Sequence, residues 1–99
     1  MFNDTIEANG PLVRWSSEKA SWFFVVLSGD VVGEIHYAAM GRTGGFGSVK
    51  VRATIGGTTW ETSLFPHKEV SGFVLPVKAA VRKAEGLVEG DRISLVLRV

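Results

Sequence analysis

The stretch GSVKVRATIGGTTWETSL, residues 47–64, carries the clearest structural signal in this chain. On both sides of Gly56 and Gly57, apolar residues alternate with polar ones at the period of two that is typical of a half-buried strand. A Gly-Gly pair suits the two-residue turn of a β-hairpin, in which both central positions favour a positive φ. The stretch therefore predicts two antiparallel strands, with the second running from Thr58 to Leu64.

Counting outward from this turn predicts which residues face each other across the hairpin. Four pairs would lie on the buried face: Ile55 with Thr58, Ala53 with Trp60, Val51 with Thr62, and Val49 with Leu64. On the wet face the same register places Arg52 opposite Glu61, an attractive pair. A slip of one residue would bury the charges, so the alternation defines the register. We therefore expect Trp60 and Leu64 to be buried, and Lys50 and Arg52 to be exposed.

The C-terminal third predicts a strand, a helix and a final strand. After a loop from Phe65 to Ser71, the segment Gly72 to Leu75 is short and apolar. A helix is predicted over Pro76 to Glu85, with Pro76 at its first position, where a missing N–H costs nothing. Gly86 would end this helix in the left-handed conformation. Apolar residues recur at helical spacing on one side of the helix: Val77, Ala80, Val81 and Ala84. Alternation at Ile93, Leu95 and Leu97 predicts the last strand.

The first half of the chain has a similar order of parts. Strands are predicted over Phe2 to Ala8, Leu12 to Trp15 and Trp22 to Leu27, separated by polar or Gly-Pro turns. Val31, Val32 and Ile35 have helical spacing, so a short helix is predicted within Ser28 to Tyr37. Asp30 could cap this helix and Gly33 interrupts it.

Two β-α-β units follow one another in this reading. The strand from Val49 to Ile55 matches the strand from Ile93 to Val99 in the spacing of its apolar positions. The match could be coincidental, because any small α+β domain offers alternating strands. A true repeat predicts a pseudo-twofold barrel, closed or partly open, which removes exposed sheet edges. The expected fold is mainly β (α+β), with residues 1–99 forming a single small β-barrel domain.

Composition excludes several classes of function. The 99 residues carry a formal net charge of +1, far from the basic balance of a dedicated nucleic-acid binder. There is no cysteine, hence no disulfide framework, thiolate nucleophile or Cys-ligated zinc. The longest apolar run, Trp22 to Leu27, is far shorter than the ~20 residues that span a bilayer. Met1 to Leu12 does not resemble a signal peptide, so we expect a soluble, cytoplasmic protein with no membrane contact.

No catalytic constellation is recognisable in the sequence. His36 and His67 are the candidate neutral-pH bases, and their wide separation forms no metal-ligand pattern. His67 lies in the predicted loop among serines and charged residues, a composition that is more often simply solvated. We therefore expect no enzyme activity, cofactor or metal, and keep Phe65 and His67 as a candidate ligand loop.

Basic residues near the hairpin raise the alternative of nucleic-acid contact. Arg42, Lys50 and Arg52 would share one exposed strand and the loop that leads into it, with Phe46 as a stacking surface. Glu61, opposite Arg52, would neutralise part of this patch. A second basic stripe on the helix is typical of a solvated outer face: Lys78, Arg82 and Lys83.

The glycines from Gly41 to Gly47 do not form a phosphate-binding loop. Such a loop runs from a strand into a helix, whereas this segment runs into the strand at Val49. A flexible connection between elements is the favoured interpretation.

Aromatic residues are assigned mostly to the core. Trp60 and Phe73 alternate inward, and the run from Trp22 to Phe24 is too apolar to be wet on both faces. Trp15 or Phe65, if exposed, would mark a surface for a ligand or partner, since large aromatic side chains gain most from being covered.

Three segments carry a resemblance to a known family: VRATIGGTTWETSLFP from Val51, GFVLPVKAAVRKAEGL from Gly72, and GDRISLVL from Gly90. They are similar to the bacterial family called domain of unknown function 1905, a small β-barrel found alone or fused to other domains. The resemblance extends from Trp22 onward and implies a fold rather than an activity. The chain departs from the family at Leu27-Ser28, where Leu-Pro is usual, and in the longer stretch MGRTGGFG, residues 40–47.

A more distant likeness covers Leu75 to Val96. This segment is similar to the AbrB-like swapped-hairpin regulators, in which two copies form one barrel that binds DNA through basic residues. Two units fused in one chain would give the same barrel without a dimer. The sequence thus favours a non-enzymatic binding or adaptor module for an unidentified small ligand or protein partner. The alternatives are a DNA-binding regulator of the swapped-hairpin kind and, third, a small-molecule-processing enzyme.

Overall fold

The strands of the chain close into a barrel whose order is β1-β2-β5-β4-β3-β6, with all neighbours antiparallel. The structure is a computed structural model that describes residues 2–99, without the side chain of Phe46. The strands are β1 (Thr5–Ser16), β2 (Ser21–Leu27), β3 (Val49–Ile55), β4 (Thr58–His67), β5 (Gly72–Pro76) and β6 (Arg92–Arg98). Two α-helices, α1 (Asp30–Ala38) and α2 (Ala79–Glu85), and two 3₁₀ turns, Gly45–Gly47 and Lys68–Val70, connect them. No helix in this part of the chain is long and apolar enough to cross a membrane.

The central hairpin has the predicted register. All four inward pairs form, from Ile55 with Thr58 to Val49 with Leu64. Trp60 and Leu64 are buried, Lys50 is exposed and Arg52 is partly exposed. Of the two turn glycines, only Gly56 has a positive φ, 57°. This conformation is that of a type II′ turn, which needs glycine at its first central position alone.

The barrel closes because two strands exchange partners midway. β1 pairs with β6 as far as Pro11 and with β2 from Leu12 onward. The separate strands predicted before and after Gly10-Pro11 are therefore wrong, since one strand runs through both residues. Glycine is required at this crossing, because a Cβ on Gly10 would lie 1.8 Å from the carbonyl oxygen of Val26.

β4 makes the equivalent exchange after Leu64. Phe65, Pro66 and His67 continue β4 and pair with Val74, Phe73 and Gly72 of β5. The loop predicted from Phe65 to Ser71 is thus wrong in its first half. Proline is tolerated here because this end of β4 pairs with β5 alone, which leaves the other backbone edge without a strand partner.

The strand order has the symmetry that the sequence repeat suggests. Exchanging β1 with β4, β2 with β5 and β3 with β6 leaves every neighbour relation of the barrel unchanged. Each half is a β-β-α-β unit, with α1 in one and α2 in the other. The two halves close the sheet together, so every strand has a neighbouring strand on each side over part of its length.

The first helix overlaps the predicted segment, but it runs without a break through Gly33, ends at Ala38, one residue beyond that segment, and has no cap from Asp30. α1 contains Asp30 as its first residue, and the cap position is Gly29, with no side-chain hydrogen bond to the helix end. The helix buries Ile35 and Ala38 against the core and leaves Gly33 exposed.

The second helix is shorter than predicted, beginning at Ala79 rather than Pro76. Pro76 ends β5 opposite Phe24, and the N–H of Val77 donates to the oxygen of Phe23 at 2.9 Å. These contacts with β2 keep the chain extended for two more residues. Among the helical residues only Val81 is buried, whereas Ala80 and Ala84 are exposed, against prediction. Gly86 ends the helix with φ 64°, as predicted.

Inward side chains of all six strands fill the barrel. The largest of those that are fully buried are Leu12, Val25, Leu27, Val51, Leu64, Phe73, Leu75 and Leu97. Phe73 and Trp60 belong to this core, as predicted. The surface of the barrel is therefore formed by the outward residues of the strands, and a functional site has to be sought among them.

Candidate functional site

The two outer walls of the barrel differ in chemistry. Because cross-strand partners share a face, the register identifies the outward residues of each strand. Around β3 and β6 these are mostly polar: Lys50, Arg52, Thr54, Glu61, Arg92, Ser94 and Arg98. On the wall of β1, β2, β5 and the end of β4 they are mostly apolar: Val13, Trp15, Trp22, Phe24, Val26, Phe65, Val74 and Pro76. The apolar wall is the first indication of a binding surface.

Much of the apolar wall is covered by its own side chains. The ring of Trp15 lies 4.6 Å from that of Phe24 and 4.7 Å from that of His67, measured between centroids. Trp15 and His67 come from β1 and β4, so their rings meet above the two strands between them. Val74 on the outer face of β5 is accordingly only 3% exposed. We call Trp15, Phe24 and His67 the ring cluster.

A groove opens beside the ring cluster, where β5 leaves the sheet. β2 stays paired with β5 as far as Pro76, whereas β4 pairs with β5 only from Phe65 onward. The wall therefore has a gap between the end of β5 and the middle of β4, bordered by the start of α2. The resulting groove has a volume of about 400 Å³, within the usual range for small-molecule sites. Its lining is Ser21, Trp22, Phe23, Phe24, Trp60, Glu61, Thr62, Pro76, Val77, Lys78, Ala79 and Arg82.

The lining is rich in aromatic side chains that come from two strands. Trp60 lies in the core, Phe23 packs against the core, and Trp22 is 51% exposed. As predicted, the run from Trp22 to Phe24 is not exposed to water on both faces, because Phe23 takes the inward position and Trp22 the outward one. Trp22 thus offers a large indole face to solvent at the groove.

Arg82 adds a positive charge held in a defined position. Its guanidinium carbon lies 3.8 Å from the centroid of Phe23, a cation–π contact. Its Nε donates a hydrogen bond to the carbonyl oxygen of Val77 at 3.1 Å. The sequence placed Arg82 on a solvated helix face, but the side chain folds back over β2. The groove therefore combines aromatic surfaces with a fixed cation.

Comparison with known proteins shows the family. A family model described as a domain of unknown function (DUF1905) matches residues 9–97. The chain belongs to the DUF1905 family. The matched residues include the entire lining of the groove. No curated protein matches the chain.

The basic residues predicted to contact nucleic acid lie on the polar side of this DUF1905 barrel. Arg42 and Lys50 line a small cavity of about 160 Å³, and Arg52 stacks on the ring of Phe2, which lines the same cavity. The structure thus brings the three together. Two are matched by carboxylates: Arg42 lies 3.7 Å from Asp4, and Arg52 lies 3.3 Å from Glu61, the predicted partner. The proposed stacking residue, Phe46, has a side chain outside the described part of the structure.

The candidate ligand loop of Phe65 and His67 is strand in this DUF1905 domain, not loop. Phe65 is 43% exposed, next to Lys50 and Ser63 on the border of the polar wall. His67 lies two residues further along the same outward face and packs against Trp15 in the ring cluster, where its Nδ1 is buried without a hydrogen-bond partner among the described residues. Neither side chain lines the groove.

Metal binding has no visible basis in the described residues 2–99. No three side chains of the His, Cys, Asp or Glu type are grouped there closely enough to hold an ion. The groove itself contributes one carboxylate, Glu61, and that group is paired with Arg52.

Sequence reasoning missed the two residues that distinguish the groove of this DUF1905 chain. A signal for Trp22 did exist, since the period of two places Trp22 and Phe24 on one face and Phe23 on the other. Arg82 gave no such signal, because a cation at an outer helix position is ordinary.

Proposed function

We propose that this DUF1905 chain is a non-enzymatic binding module that takes a small ligand in the groove between β2, β4 and α2. The observation that carries the proposal is the half-exposed indole of Trp22 at a cavity of about 400 Å³. Large aromatic side chains dominate binding energetics because they bury much area in one step. Much of the rest of the apolar wall is already covered by the ring cluster, and its exposed member, Phe65, lies on the border of the polar wall, which makes the groove the preferred place for a ligand.

The polar groups of the groove favour binding over chemistry. Acid–base or nucleophilic catalysis needs a nucleophile, a base and an orienting group within hydrogen-bond reach. In the groove, Glu61 is engaged with Arg52, and both histidines lie elsewhere. The remaining lining offers flat apolar surfaces, two cations and the hydroxyls of Ser21 and Thr62. Ser21 Oγ is already hydrogen-bonded to Arg14 and Ser16, and neither hydroxyl has a histidine beside it in the lining, so these groups suit recognition of a ligand better than its transformation.

The energy available from Trp22 sets the expected affinity. Covering its exposed half would remove on the order of 100 Å² from water, worth about 2.5 kcal/mol. Association costs several kcal/mol in lost translational and rotational freedom. Trp22 alone therefore does not supply the roughly 4 kcal/mol that a Kd of 1 mM needs. The probe's own ring is removed from water at the same time, and this second contribution brings the expected Kd of a flat uncharged aromatic probe to the millimolar range or weaker.

NMR titration with 2-naphthamide, a flat uncharged probe, tests the proposal. We expect amide shifts confined to residues around the groove, and a loss of affinity of about tenfold in Trp22→Ala, equivalent to losing about half of that stacking energy. Phe65→Ala is the matched control, because it removes another half-exposed aromatic outside the groove and should leave affinity unchanged. Equal losses in both variants, or shifts scattered over the barrel, would contradict the proposal.

A further inference from the structure

We infer that the ligand of the groove is a small ring-bearing carboxylate, whose negative group is taken by Arg82 while its ring stacks on Trp22. The inference rests on the proposed function and specifies its ligand class. It follows from the hydrogen bonds of Arg82 and from the charges of the lining.

Arg82 differs from the other arginines in how it is bonded. The other five described arginines each place an Nη atom on an oxygen: Arg14 on Ser21, Arg42 on Ala38, Arg52 on Glu61, Arg92 on Asn9 and Arg98 on Phe2. Arg82 donates a hydrogen bond only from Nε, to the carbonyl oxygen of Val77. Within the described residues, both of its Nη groups thus lack a protein partner. Their free N–H donors indicate a ligand with a planar acceptor group that has two oxygens. A carboxylate fits this fork through two parallel hydrogen bonds.

The guanidinium of Arg82 is held in place before any ligand arrives. The Nε bond to Val77 and the stacking on Phe23 restrain the long side chain at two points. An arginine side chain that is already ordered loses less conformational entropy on binding a ligand than a mobile surface cation does. The partly buried position also strengthens its attraction for an anion relative to open water.

The charge of the lining matches one negative group. Lys78 and Arg82 contribute two positive charges and Glu61 one negative charge. Glu61 lies 3.3 Å from Arg52, outside the lining, and makes no ion pair with Arg82 among the described residues. Taken by itself, the lining has a net charge of +1, which a monoanion balances. Arg52 offsets the carboxylate of Glu61 only in part, because both side chains of that pair are largely exposed, so a dianion such as a phosphate ester would be repelled more strongly by Glu61.

Comparison of 2-naphthoate with 2-naphthamide tests the inference, since the two probes share a ring and differ in charge. At pH 7 the acid is ionised, and we expect it to bind the full chain about tenfold more tightly than the amide, as a charge-assisted hydrogen-bond pair predicts. Arg82→Gln should remove this advantage, so that this variant binds the acid and the amide with affinities that agree within about twofold.

Lys83→Gln is the matched control for charge. Lys83 is the exposed neighbour of Arg82 on α2 and does not line the groove, so its loss should leave the preference for naphthoate intact. Arg82→Lys keeps the charge without the fork and should retain only part of the preference. Each variant is accepted for titration only if its amide spectrum outside the groove superposes on that of the parent.

The outcomes separate the two proposals. If both probes bind in the groove with equal affinity, the carboxylate inference fails and the binding function stands. If neither probe produces shifts around Trp22, the binding function itself fails. Tighter binding of 2-naphthyl phosphate than of naphthoate would overturn the assignment to a monoanion.

Discussion

Replacing Gly10 with alanine should disrupt the crossing on which barrel closure depends. The new Cβ would lie 1.8 Å from the backbone oxygen of Val26, whereas real Cβ atoms essentially never come within 3.0 Å of another heavy atom. The two backbones would have to part by the difference, about 1.2 Å. β1 cannot yield easily, because it is paired with β6 on its other side over seven residue pairs up to Pro11.

The expected loss in stability of Gly10→Ala follows from this displacement. A shift of this size breaks about two backbone hydrogen bonds at ~1 kcal/mol each and adds ~2 kcal/mol of packing strain. We therefore expect the free energy of unfolding to fall by about 4 kcal/mol, a large part of the 5–15 kcal/mol typical of a domain. Urea unfolding followed by far-ultraviolet circular dichroism measures this loss.

Gly33→Ala provides the matched control for the same substitution. Gly33 lies within α1, and a Cβ there meets no atom within 4 Å. Alanine should stabilise this helix by about 0.5–1 kcal/mol, because glycine loses more backbone entropy on folding. If Gly10→Ala unfolds within 1 kcal/mol of the parent, or if Gly33→Ala is equally destabilising, the close approach of β1 and β2 is wrong.

Two further predictions concern the end of α2 and the ring cluster. Gly86→Ala should lower the free energy of unfolding by about 1 kcal/mol, since φ is 64° and no atom lies near the new methyl group; an unchanged thermal midpoint would contradict the left-handed helix end. His67→Phe keeps a ring against Trp15 and removes the unpartnered Nδ1. It should therefore leave stability unchanged or raise it by about 1 kcal/mol in urea unfolding, and a marked loss would show that Nδ1 has a partner.

The approximate symmetry of the barrel offers an internal comparison for the groove. In the other half, β1 and α1 flank an opening of about 420 Å³, lined by Asp4 and Glu34 and by the exposed ring of Tyr37. Its charges are opposite to those of Lys78 and Arg82. A carboxylate ligand should therefore bind in the groove and not in this opening, although the two halves of the barrel have equivalent strand orders.

Features of the fold that depend on residues close together in the chain are predictable from the sequence. The period of two and the Gly-Gly turn predicted every pair of the β3–β4 hairpin, because alternation decides which face is buried and the turn decides the register. Gly86 likewise marked the end of α2 through its backbone freedom. The family resemblance and the repeat predicted a barrel, and the strand order has the implied symmetry.

Local sequence patterns could not predict where strands change partners or which residues line the groove. Pro76 belongs to β5 because β2 pairs with it, and the segment from Phe65 to His67 belongs to β4 because β5 pairs with it. No local pattern shows a strand partner that is distant in sequence. Trp22 and Arg82 lie sixty positions apart and line one cavity only because β2 pairs with β5 immediately before α2. Local periodicity records which side of a strand is apolar, whereas a binding site depends on long-range pairing that brings such sides together.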